Sequence, residues 1–457
     1  LTRAPADGAV IGPFPWDPFP PGEAEPKGPD PVPSLAYRAA VTAADAYRSV
    51  RLALRREGGT LRVGNRFVPE GRYREVAFLA FGHAANSMAL AALHAVGDRL
   101  TQGYLAGPEA VPPELPFRSV TTAPGWGGDP VAASVVGAAT ELAAGLSEQD
   151  LLLVLVSPGA LRALTLPPSG MTAEEFSTLL ATAHERGASG REVGLLGRVL
   201  GTGGVGGRLA ASVSRADVAT FVVDRGDGPG TVGGGPLLPV APHERIEARA
   251  ILSRLQLSES IPAPSRDALA PAGDTPIELP GRLARPVVVA SPGDALRAAA
   301  DALFDKGWTS RLAFLQVREG PEPSADRFLQ RTDDLLRAEA LDPESRTKGV
   351  VCFAMMTLGL PEGVDEGPAL GRFLWQAQAG LRRREMSIGL FRTVGGLGSP
   401  EFPAGAVIGA PTDGTAEWRR GRARAVPMRL GITDVGLLAV AVSPTPTTPT
   451  PTGTKER

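Results

Sequence analysis

Residues 78–88, FLAFGHAANSM, decide how this chain folds. An apolar run meets Gly82, then His83, then small residues suited to the opening of a helix, which is the pattern of a strand, a tight turn and a helix start. In α/β proteins that junction is where anions are held, because the helix N-terminus directs N–H groups at them. Working outward, residues 35–58 have the spacing of one amphipathic helix, and TLRVGNRFV (60–68) is hairpin-like. The β-branched, apolar runs QDLLLVLVS (149–157) and ADVATFVVD (216–224) predict buried strands, with a helical MTAEEFSTLLATAHERG (171–187) between them. Strand and helix in turn predict an α/β fold, with parallel or mixed sheets covered by helices.

A second set of alternating elements follows a Pro-rich bridge at 262–284. RPVVVA (285–290) is strand-like, SPGDALRAAADALFDKG (291–307) is helical with Ser291 or Asp294 near its cap, and RLAFLQV (311–317) and RTKGVVCFAMMTLGL (346–360) are further strands. At 457 residues the chain is long enough for two or three domains. The expected division is a Pro-rich arm at 1–34, a Rossmann-like α/β domain at 35–261, a linker at 262–284, a C-terminal α/β domain at 285–442 and a Thr/Pro-rich tail at 443–457. The arm interleaves Phe14, Trp16 and Phe19 with proline, so it is expected to run extended and to dock on other protein subunits, in a homo- or hetero-oligomer.

Composition narrows the partners. Lys and Arg total 47 against 49 Asp and Glu, a formal charge of -2, which gives no reason to expect nucleic acid or an anionic membrane surface. Cys352 is the single cysteine, which excludes an internal disulfide and a cysteine-built metal cage; in VVCFAMM it is expected to be a small buried hydrophobe. The four histidines are never paired at metal-ligand spacing. No apolar run reaches the roughly 18–20 residues of a membrane span. With a first residue of Leu1 and no visible signal peptide, a cytoplasmic location is expected.

Four glycine-rich turns are candidate sites. The first holds His83; the second, VLVSPGALRALTLPPSG (154–170), holds Ser157 and Gly159. The third, LGTGGVGGRLA (200–210), offers the N–H groups of Gly206 and Gly207 beside Arg208, a charge partner for phosphate or carboxylate. The fourth, VVDRGDGPGTVGGGPLLP (222–239), places Asp224 and Asp227 at a strand end, where carboxylates hold Mg²⁺ or take a proton from a hydroxyl, or simply form the turn.

The order of these pieces resembles the type II glycerate kinases (glycerate 2-kinases), carried by GGTLRVGNRFV, the 78–88 junction, SPGALRAL (157–164), VGGRLA (205–210), DRGD (224–227), GGP (234–236), LGRF (370–373) and RTVGGLGSPEFPAGAVI (392–408). The resemblance implies two α/β domains and transfer of the γ-phosphoryl of ATP, with Mg²⁺, to the 2-hydroxyl of D-glycerate. It places Arg208, Asp227 and Arg372 as catalytic residues, Ser157, Gly159, Gly206 and Gly207 at the nucleotide, and Asp224 and Asp227 at the metal. Several positions depart from it. His83 stands where the family has a lysine, and a neutral, shorter imidazole cannot serve as a fixed cation. A Ser-Gly-Gly-Gly-Ser loop is here Ser157, Pro158, Gly159, Ala160 and Leu161; a Gly-Arg-Asn-Gln-Glu run is Gly371, Arg372, Phe373, Leu374 and Trp375; two aspartates near Arg392–Leu397 are missing. These departures imply a chain that has lost catalysis, needs no cofactor and acts as a structural or regulatory subunit of a larger assembly. The alternative is an active, divergent kinase using ATP and Mg²⁺ on D-glycerate or a related small hydroxy acid.

Overall fold

A computed structural model describes residues 31–108, 110–122, 130–213, 215–226, 228–270, 285–314, 320–339, 349–356 and, further on, 372–373, 376–377, 387–392, 405–408, 424–425 and 437–444. Of the expected arm (1–34) and tail (443–457), residues 31–34 are instead the start of a helix, Pro31–Ala44, and 443–444 the end of a strand, Leu437–Pro444; residues 1–30 and 445–457 lie outside the described residues.

Helices α1 (Pro31–Ala44) and α2 (Ala46–Ala53) lead into an antiparallel meander of β1 (Leu54–Glu57), β2 (Thr60–Val63) and β3 (Arg66–Pro69). Next come β4 (Glu75–Phe81), α3 (Ala85–Val96), β5 (Leu100–Gly107), β6 (Arg118–Thr121), α4 (Ala132–Gly145) and β7 (Asp150–Val156). They are followed by α5 (Ala160–Leu164), β8 (Thr165–Leu166), α6 (Ala173–Glu185), α7 (Gly190–Leu200), β9 (Thr202–Gly203), α8 (Arg208–Ser212) and β10 (Asp217–Val223). Helices α9 (Pro242–Arg254) and α10 (Ala263–Arg266) precede β11 (Val287–Ala290). The remainder is α11 (Pro292–Phe304), β12 (Thr309–Phe314), α12 (Pro321–Glu339), β13 (Gly349–Met356), β14 (Ser387–Arg392), β15 (Gly405–Ile408), β16 (Arg424–Ala425) and β17 (Leu437–Pro444).

The first large sheet runs β11-β10-β7-β4-β5-β6 and every pairing in it is parallel. Counted along the chain, that is the 3-2-1-4-5-6 order of doubly wound dinucleotide folds, with the reversal between β4 and β7. Helices cover both faces, so β7 is buried at all seven positions and reads as an unbroken apolar run after Asp150. The second sheet, β12-β13-β17-β14-β15-β16, is mixed: β12 and β13 are parallel, and the other pairings antiparallel.

Two further expectations need correction. The single helix over 35–58 is broken at Asp45, whose carboxylate accepts the Arg48 N–H at 2.7 Å and caps α2. Its end is strand, because Gly58 and Gly59, at φ +53° and +80°, form a tight hairpin turn that draws Leu54–Glu57 into a ladder with Thr60–Val63. The strand at 285–290, expected to open the second domain, is the edge of the first sheet, with Phe221 opposite Val287. In the bridge, Ser265 donates to the Ser169 carbonyl at 2.6 Å and Leu269 is buried, while 271–284 lie outside the described residues. Ser291 caps α11 as expected, accepting the Asp294 N–H at 3.3 Å.

Helix α1 packs along α11. Its buried stripe, Ala36, Tyr37, Ala40, Val41 and Ala44, joins Ala295, Leu296, Ala299 and Leu303 in one core that also takes in Val351, Phe353, Leu438 and Val440 of the second sheet. Alanine at successive turns lets the helices approach closely. Cys352, between Val351 and Phe353 on β13, is buried, as expected.

One packed contact carries a pH dependence. The Tyr47 hydroxyl lies 2.7 Å from His94 Nδ1. Burial, then Arg51, holds the imidazole below its ordinary 6.5, with Glu114 acting the other way. A depressed folded-state value means that the unfolded chain binds the proton first, so this stability is complete above about pH 6.5 and is lost as pH falls through the folded value. In urea titrations from pH 8 to 5, His94→Gln is expected to flatten the acid-side decline. An unchanged pH slope would remove His94 as its source.

Candidate functional site

The point at which strand order reverses is a ligand crevice in open α/β sheets. Here the turns after β4 and β7 meet across it. Gly82, at φ +102°, approaches so closely that a Cβ would lie 2.4 Å from the Ser157 carbonyl oxygen and 2.6 Å from that of Pro158. Only glycine permits both the φ and the contact. The Ser157 hydroxyl, fully buried, donates to the Phe81 carbonyl and accepts from the Ala84 N–H, both at 3.0 Å. The His83 N–H donates to the Pro158 carbonyl at 2.8 Å, and that of Gly82 to Ala106 at 2.9 Å. The imidazole lies over the neighbouring turn, with Nε2 2.6 Å from where a Cβ on Gly159 would be. The β4 and β7 turns thus bind each other through the N–H groups that the sequence offered to an anion.

The third and fourth glycine segments form a second layer against the first. A Cβ on Gly233 would meet Val156 Cγ1 at 2.7 Å and Ala160 Cβ at 2.9 Å, so the 232–236 loop rests on the turn before α5. Gly206 and Gly207, at φ +62° and +80°, donate their N–H groups to the carbonyls of Gly234 and Gly235 at 2.8 and 3.0 Å. Arg208 follows directly as the first residue of α8 and donates through Nη1 to the Val205 carbonyl at 3.1 Å. Burial, then Arg245 and Arg198, pushes its pKa down, and each of those neighbours carries the same sign. A half-buried guanidinium facing like charges is a place where an incoming carboxylate or phosphate gains most.

Asp224, at the end of β10, is buried, and its carboxylate accepts the N–H groups of Gly226 at 2.9 Å and Gly228 at 3.1 Å. That is the turn-forming arrangement. Asp227 lies outside the described residues, as do Gly371, Leu374 and Trp375. Arg372 is an exposed residue with Nε 3.0 Å from Glu322 Oε1 on α12. Phe373 is fully buried against Phe328. Among the described residues no group of three His, Cys, Asp or Glu is placed to hold a metal ion. None of the described helices is long and apolar enough to cross a membrane.

Gly82, Gly159 and Gly233 come together because they follow β4, β7 and β10 of one sheet; Gly206, Gly207 and Arg208 follow β9 of the separate β8-β9 pair and join them through the carbonyls of Gly234 and Gly235. Sequence reasoning missed Arg198 of α7, which is 2% exposed and lies 3.0 Å from Glu244 through Nε. Its signal was present: it falls among Leu195, Leu196, Val199 and Leu200, where a charge is tolerated only if paired.

Comparison with known proteins supplies the context. The profile of a family described as a domain of unknown function, DUF4147, matches residues 34–270. A glycerate kinase of Bos taurus is 28% identical over 242 residues, 49% of this chain and 45% of that protein. A glycerate kinase of Danio rerio is 28% identical over 249 residues, 51% of this chain and 49% of its own length. The chain spans about half the length of these curated relatives. Among solved structures, a glycerate kinase from Thermotoga maritima superposes with a TM-score of 0.66 at 18% identity, covering 91% of this chain and 100% of that one, a likeness of fold.

Proposed function

The chain belongs to the DUF4147 family and is a member of the glycerate-kinase family, and from that premise we propose that it binds a small 2-hydroxy acid of the D-glycerate class and phosphorylates it. The observation that carries this reading is Arg208: a half-buried cation beside a double glycine turn, with Arg198 and Arg245 as its charged neighbours. Such a group holds the carboxylate of the acid, fixing its orientation for reaction at the hydroxyl. ATP with Mg²⁺ is the phosphoryl donor that family membership implies. The acid end of the site fits this substrate class. At the metal end the described residues supply one carboxylate, Asp224, already engaged by two amides, and the part assigned to Arg208 does not pass through Mg²⁺.

A second reading is favoured by one specific contact. His83 occupies the lysine position of the family and lies on Gly159, where a phosphate would need room and a fixed positive charge. In that reading the chain has lost transfer and serves as a structural or regulatory subunit, with the Pro-rich arm that precedes α1 reaching other protein subunits. The two readings part in one assay on the full chain with Mg²⁺ and ATP. ADP release that depends on D-glycerate is the expected result. Thermal stabilisation by D-glycerate without ADP release would overturn transfer and leave the second reading.

A further inference from the structure

We infer that Arg198, buried one layer beneath the glycine turn, is the positioning residue that holds Gly206 and Gly207 in their left-handed conformation and thereby sets where Arg208 points. Its Nη1 donates to the carbonyls of Gly234 and Gly235, at 3.1 and 3.2 Å. Those are the same two carbonyls that accept the N–H groups of Gly206 and Gly207. Each oxygen therefore binds the guanidinium on one side and a turn amide on the other, and one cation fixes both peptide planes. Nη2 reaches the Pro239 carbonyl at 2.6 Å, tying down the far end of the loop.

Glu244 locks the guanidinium in turn, with Oε1 3.0 Å from Nε and Oε2 accepting the Ala241 N–H at 2.6 Å at the start of α9. The loop is shaped around this side chain, since a Cβ on Gly235 would overlap Nη1. A planar, five-donor group satisfies this set, whereas a lysine reaches only part of it. The role of Arg198 in orienting Arg208 toward a substrate rests on the proposal that Arg208 binds an anion; its role in ordering the turn does not.

Hydrogen exchange on the full chain separates the two. In Arg198→Lys, exchange at the amides of Gly206, Gly207 and Arg208 is expected to rise about tenfold, while those of β7 keep their protection. Since the single change leaves Glu244 short of its partner, the Arg198→Met/Glu244→Gln pair, which removes both charges, provides a second folded background in which the same local rise is expected. Unchanged protection at Gly206 and Gly207, or an equal rise across β7, overturns the inference. Calorimetry with D-glycerate and with inorganic phosphate then tests the orienting role: binding by the parent chain should weaken about tenfold in Arg198→Lys. Unweakened binding there overturns that role. A parent chain that binds neither probe overturns the anion reading together with the orienting role, and leaves the turn-ordering result to stand or fall on exchange.

Discussion

Gly82→Ala is expected to lower the stability of the chain by roughly 3–5 kcal/mol, the combined effect of a strained left-handed residue and an overpacked contact. The methyl group would meet two carbonyl oxygens and the Ser157 Oγ, all within 2.4–2.6 Å. Carbonyls in a closed turn cannot rotate aside, so β4 and β7 must separate at the strand end where their turns bind each other. Urea denaturation should show the midpoint falling by about 1 M or more. Gly58→Ala is the matching control. It has φ +53° with nothing within 4 Å of the new Cβ, so it carries the backbone cost of about 1 kcal/mol and no clash. Equal losses in the two variants would mean that contact across the strand reversal contributes nothing.

Arg208→Met is expected to act in opposite directions on turnover and stability. D-glycerate-dependent ADP release should fall about 10²–10³-fold, the usual effect of removing one preorganised charge partner from a transfer site. Folding should not suffer. Burial and the fields of Arg245 and Arg198 disfavour the charged form of Arg208, so replacing it with an apolar side chain of similar length relieves repulsion, and the melting temperature should hold or rise. The pairing of a large kinetic loss with no thermal loss is what distinguishes a ligand-binding arginine from a structural one. A variant that melts earlier and turns over at the parent rate would place Arg208 in the second class.

Much of the first sheet was legible in the sequence because its signals are local. The apolar runs of β4, β7 and β10 stop at Gly82, Ser157 and Asp224, and these strand ends mark where the first, second and fourth candidate turns begin. Parallel pairing in a doubly wound order then brings the β4 and β7 turns together without further information. Features that depend on distant residues were not legible. Nothing near Val287–Ala290 states which sheet it joins, since a short β-branched strand suits either. The break at Asp45 was hidden by helical spacing on both sides of it. Arg198 and Glu244 are 46 residues apart and meet only once α7 and α9 are packed. The orientation of backbone amides in the turns was also beyond reach, because the sequence shows that a glycine can donate and not what accepts.

The packing of α1 on α11 has a consequence for how the chain is made. Among the earliest described residues to leave the ribosome are Ala36, Tyr37, Ala40 and Val41, yet their neighbours in the core include Leu296, Phe353 and Val440. Some 250 to 400 residues are synthesised before those neighbours exist, at a rate of about 5–20 residues per second. Throughout that interval the parallel sheet can assemble while the described neighbours of α1 on α11, β13 and β17 have yet to be made. Closure of α1 on α11 and β17 therefore waits on translation, and the contact that joins the first described helix to the last described strand depends on the nascent chain being kept from other company.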